Sequence, residues 1–72
     1  MALWQLQADL GNYLEDEGFW GRYATHLSHD DAQRAIEVGI LPNTSTAVVD
    51  QIRGAFREQP VIFVPRGSAR AL

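Results

Sequence analysis

The chain has no cysteine among its 72 residues, so no disulfide can staple it. It has no lysine either, and all six basic residues are arginines. Arginine suits bidentate contacts better than lysine does, although the base composition of the coding DNA produces the same bias. No window approaches the roughly 18 consecutive apolar residues of a membrane span. The N-terminus lacks a basic start leading into an apolar run, because Gln5, Gln7 and Asp9 interrupt it, which argues against a signal peptide. A soluble chain with the cytoplasm as its compartment is the expectation.

Catalytic and ligand-binding patterns are equally sparse. The glycines are dispersed, so no loop is built to cradle a phosphate. Ser28, Ser45 and Ser68 stand in cap or turn contexts, with no elbow of the G-x-S-x-G type. The one metal-like or acid–base cluster is His26-x-x-His29-Asp30-Asp31. It has no third histidine and no thiolate to complete a ligand set, and polar caps at a helix junction account for it as well. A chain this short also has difficulty enclosing the roughly 300 Å³ or more that small-molecule sites use. No enzyme activity, cofactor or metal is expected.

What is present is one small domain. A domain of this size buries only about 60% of its unfolded surface. Hydrophobic residues make up 46% of the chain, too many for intrinsic disorder. Without a covalent staple, stability must come from an efficient core, from homo-oligomerisation, or from both. The net charge is −3 and unevenly spread. Residues 1–36 carry six acids against Arg22 and Arg34, and residues 37–72 carry three against four arginines, so the halves stand at −4 and +1. An acidic half repels phosphate backbones and suits a basic protein partner.

Leu3, Leu6, Leu10, Tyr13 and Leu14 recur at helical spacing and predict an amphipathic helix from residue 3 to about 16, fraying at Glu15-Asp16-Glu17 before Gly18. Alternation of Trp4, Leu6 and Ala8 offers a competing strand over residues 2–7. Phe19, Trp20, Tyr23 and Leu27 predict a second short helix. Ser28 reads as an N-cap with Asp31 as its capping-box partner, opening a third helix that runs to Val38 and stops at Gly39. One of Asn43-Thr44-Ser45-Thr46 opens a fourth, with Val48, Ile52, Ala55 and Phe56 as its apolar stripe and Pro60 as its end. Val61-Ile62-Phe63-Val64, fenced by Pro60 and Pro65, reads as one strand, and residues 67–72 as a loose tail. The expected fold is therefore mostly α, with three to four short helices and one C-terminal β-strand, becoming α+β only if residues 2–7 form a second strand.

A lone strand needs a partner for its backbone. With a helical N-terminus, Val61, Ile62, Phe63 and Val64 should pair across a two-fold axis or with another protein, and a homodimer is expected. The composite reading is a non-catalytic protein-binding module, an adaptor, assembly factor or inhibitor that docks on a larger protein or complex, including one that handles nucleic acid. Its candidate contacts are Trp20, Arg22 and Tyr23 as anchors, Glu15, Asp16 and Glu17 as an acidic patch, and Val61 to Val64 as a pairing edge. Most of the aromatic rings are needed for the core of so small a domain. The alternative is a small helix-turn-helix DNA reader using residues 43–57. Asp30, Asp31 and Glu37 around its first helix oppose phosphate contact and argue against direct nucleic-acid binding.

Overall fold

Leu6, Leu10 and Leu14 lie on one stripe of the N-terminal helix, and that stripe is fully buried in the computed structural model, which describes residues 2–66. The helix, α1, spans Leu3–Asp16. It ends where expected: Gly18 adopts a positive φ of 73°, and its N–H returns to the Glu15 carbonyl. The strand alternative over residues 2–7 does not form.

The next two elements differ from expectation. Residues 19–23 form no helix: Trp20 makes an isolated bridge to Ala24, residues 21–23 turn with Gly21 at φ 79°, and strand β1 follows over Ala24–Asp30. Ser28 lies inside β1 and caps nothing. The helix predicted from Ser28 to Gly39 is a β-hairpin, with β2 at Ala35–Ile40. A capping interaction does exist there, displaced by two residues. Asp30 accepts the Gln33 backbone N–H at 3.1 Å and its side-chain amide at 2.9 Å, and the bonds close a tight turn instead of opening a helix. The turn is completed by Arg34 in the left-handed region, φ 53°. Beyond it, β-branched Ile36, Val38 and Ile40 repeat at period two and place all three side chains in the core, which decides for a strand.

Helix α2 spans Thr46–Ala55, and Ser45 occupies its N-cap position in extended backbone, without a side-chain cap bond. Ile52 is fully buried, while Val48, Val49 and Phe56 pack against the same core. The helix stops at Ala55, five residues short of Pro60, and the connection turns at Glu58, φ 65°. Strand β3 then runs over Val61–Pro65.

The sheet has the order β1-β2-β3, with β1 antiparallel and β3 parallel to β2. Among the described residues, two helices and a three-stranded mixed sheet make an α+β fold, not the mostly helical one expected. The C-terminal strand is thus not alone. Ile36 pairs with Val61 and Val38 with Phe63 inside one chain, so the reason for expecting a homodimer through residues 61–64 falls away. Leu6, Leu10, Leu14 and Ile52 share one cluster with Ile36, Val38 and Ile40, so both helices cover the same sheet face. Among the described residues nothing covers the other face. The predicted tail, residues 67–72, lies outside the described residues.

Candidate functional site: a bare sheet face and an aromatic flank

Side chains alternate across a strand, so the residues between those of the core line the bare face. Glu37 stands at its centre on β2, with Ser28 beside it on β1 and Ile62 on β3. Arg66 Nη2 donates to Glu37 Oε2 at 2.8 Å, and His26 Nε2 donates to the same oxygen at 3.2 Å. The Arg66 hydrogen bond, assisted by that of His26 and by both charges, holds the Glu37 carboxyl below its ordinary value, outweighing the opposing desolvation. His26 reaches this position because Gly39 sits opposite it. A Cβ at Gly39 would collide with the imidazole Nδ1 and Cε1 and press on Thr25 Oγ1. A register shift between Ala24 and His26 turns the histidine onto this face. Sequence reasoning missed this triad. The i,i+2 pairing of Glu37 with Gly39 in a β-branched run was the available signal, masked by the helix assignment.

The second feature runs along α1. Tyr13 meets Phe56 edge-on at 5.4 Å, so that flank of the helix faces α2. Gly11 lies on the other flank, its missing side chain directed at Leu27 of β1. Trp20 lays its ring there and donates Nε1–H to the Gly11 carbonyl at 3.3 Å. Trp4, seven residues before Gly11, falls on the same flank about 10 Å along the axis. These are the only two tryptophans of the chain, and they are 67% and 37% exposed.

The predicted contact residues are partly gathered and partly separated. The acidic trio is split: Glu15 lies on the tryptophan flank, four residues after Gly11, and Asp16 points to solvent, whereas Glu17 accepts from Gln51 Nε2 at 3.1 Å on the α2 side. Trp20 is exposed as an anchor must be. Arg22 is exposed and lies over the Tyr23 ring, 5.5 Å from its centroid. Tyr23 is half-buried edge-on against Phe19, so its ring serves the core. Val61, Ile62, Phe63 and Val64 lie across the sheet from all of these, with β2 between. Their inner edge is taken by β2, and Pro65 supplies no N–H to the outer one. Trp4, which sequence reasoning did not single out as a contact residue, is the more exposed of the two tryptophans.

Several other readings lose their geometry. A helix-turn-helix requires a helix before residues 43–57, and that segment is the β1–β2 hairpin. His26 and His29 project from opposite faces of β1, and no group of three metal-competent side chains gathers among the described residues. A concavity of about 540 Å³ is an open groove along the end of α2 in which Asp50 pairs with Arg53 at 3.1 Å. No helix among the described residues is long and apolar enough to cross a membrane. No family model, curated protein or solved structure matches the chain.

Proposed function

We propose that the chain is a non-catalytic protein-binding module, an adaptor, assembly factor or inhibitor that docks on a larger protein through the flank of α1 bearing Trp4 and Trp20. The observation that supports it is the exposure of both tryptophans on one side of one helix. A buried tryptophan contributes more apolar area than any other side chain, and the neighbouring core had room for Phe19, Tyr13 and Tyr23. Tryptophan left in water on a common flank matches the aromatic anchors that dominate protein interfaces. Beyond Ala24, which Trp20 bridges, β1 adds a strand edge that is unpaired among the described residues on the same side, since α1 lies over β1 and its tryptophan flank faces away from α2. Tagged protein captured from its native host, with Trp4→Ala and Trp20→Ala compared against Arg57→Ala, tests the proposal. A stoichiometric partner lost with either tryptophan variant and kept with the arginine variant is expected. Equal recovery by all three would overturn the assignment of the surface.

A further inference from the structure

The solvent side of α1 carries Asp9, Glu15 and Asp16 and no basic side chain, and the first arginine of the chain, Arg22, comes only after the helix has ended. Asp9 is engaged by Gln5 at 3.0 Å, while Glu15 and Asp16 have no side-chain partner among the described residues. Both stand in the last turn of α1, where the unpaired carbonyls already make the helix end negative. The arrangement is unfavourable for the isolated chain, and no described residue relieves it. Glu15 lies next to Trp20, whose ring is bonded to the Gly11 carbonyl one turn earlier, and Asp16 stands at the same helix end, turned toward solvent.

We infer that the occupant of the tryptophan flank is a cationic, arginine- or lysine-bearing segment of the partner protein, held between the faces of Trp4 and Trp20 and the carboxylate of Glu15, with Asp16 adding negative charge from the solvent side of the same helix end. This rests on the docking reading above and adds the chemistry of the partner. A guanidinium placed there gains three attractions at once. The Glu15 carboxylate pairs with it, the carbonyl end of α1 faces it, and an indole face offers a cation–π contact. An acidic or neutral segment gains only the apolar part. Charge complementarity therefore selects the occupant.

The two tryptophans make the test direct, because all indole fluorescence of the chain comes from this flank. The intact protein is titrated with a short arginine-rich peptide and, separately, with the same peptide carrying glutamine at the arginine positions. The expected result is a saturable shift of tryptophan emission with the arginine peptide alone, weakened about tenfold between about 0.05 M and about 0.5 M salt. Glu15→Gln/Asp16→Asn should weaken binding about tenfold, and Asp31→Asn/Asp50→Asn, with the same change in net charge, should not. Circular dichroism confirms folding; the Glu15/Asp16 variant removes charges from the wrong helix end and should melt no lower than the parent. If both charge variants weaken binding equally, the attraction is one of net charge only and the inference fails. If the glutamine peptide binds as well, or light scattering shows self-association abolished by Trp4→Ala, the cationic occupant is wrong. Loss of partner capture with Trp4→Ala would then still uphold the docking reading.

Discussion

At the scale of single residues, the molecule depends on one absent side chain and two unfavourable backbone angles. Gly39→Ala should push the His26 ring off the bare face and break its bond to Glu37, because the new Cβ meets the imidazole and Thr25 Oγ1. A cost of about 1–3 kcal/mol is expected for overpacking of this kind, read from the urea midpoint, with His26→Ala restoring most of the loss in the double variant. Arg34 stands in the left-handed region, where glycine is at ease. Arg34→Gly should stabilise the hairpin by about 0.5–1 kcal/mol; a loss of stability would place Arg34 in a contact its turn geometry does not show. Glu37 gives a pH dependence with a definite sign. Its folded carboxyl titrates below the ordinary value of 4.5, chiefly through Arg66. Its stabilising share is therefore complete above that value and lost as pH falls through the lower folded value. Glu37→Gln should flatten the acid limb of the stability curve below the ordinary carboxylate value, and an unchanged limb would remove the ion pair from the account.

At the scale of elements, legibility followed how many residue types shared one signal. α1 was readable because four leucines at helical spacing agreed with an exposed remainder, and α2 because a run of cap formers preceded Val48 and Ile52. The hairpin was not, because Ser28, Asp30 and Asp31 imitate a helix start and its turn lacks the glycine or asparagine that normally marks one. Ala32, Ala35, Ile36 and Gly39 also satisfy helical spacing, so only the alternation of Ile36, Val38 and Ile40 separated the two periods. Of the candidate site, Trp20 and Glu15 were legible from composition. Trp4 was not, since periodicity alone cannot tell an aromatic on the rim of a stripe from one inside it. β3 was found, but its pairing with β2 required knowing that β2 exists. That pairing has a measurable polarity. Arg66 N–H bonds Ile40 O at 2.7 Å and Ile36 N–H bonds Pro60 O at 2.9 Å. By alternation the amides of Ile62 and Val64 face β2, and that of Phe63 faces outward. Hydrogen exchange should find Ile62 and Val64 protected and Phe63 fast. A protected Phe63 would mean that the outer edge of β3 is paired with another strand after all.

At the scale of the whole molecule, two helices on one face of a three-stranded sheet solve the problem of a short chain without staples. Leu6, Leu10, Leu14, Ile36, Val38 and Ile52 are fully buried, and together they form a single core. In so small a domain there is little stability to spare, and Leu10→Ala should cost about 2–5 kcal/mol, enough to leave much of the chain unfolded at room temperature. Thermal melting followed by circular dichroism reads this directly; a native melting curve would contradict the central place of α1 in the core. The same economy explains why the exposed tryptophans carry weight in the functional reading. A chain that needs every large apolar side chain for folding leaves two on one flank of α1, beside a β1 edge unpaired beyond Ala24 and an acidic helix end without a basic partner among the described residues.

The central claim is that this flank is where the partner sits, and a photo-crosslinker tests it most directly. Ala8 is exposed on α1 between Trp4 and the Gly11 position covered by Trp20, and replacing it alters no buried contact; Arg57 is exposed beyond the end of α2. A photoreactive phenylalanine analogue at position 8, irradiated in the native host, should yield one adduct with a larger protein, while the same group at position 57 yields none. An adduct from position 57 with none from position 8 would contradict the account.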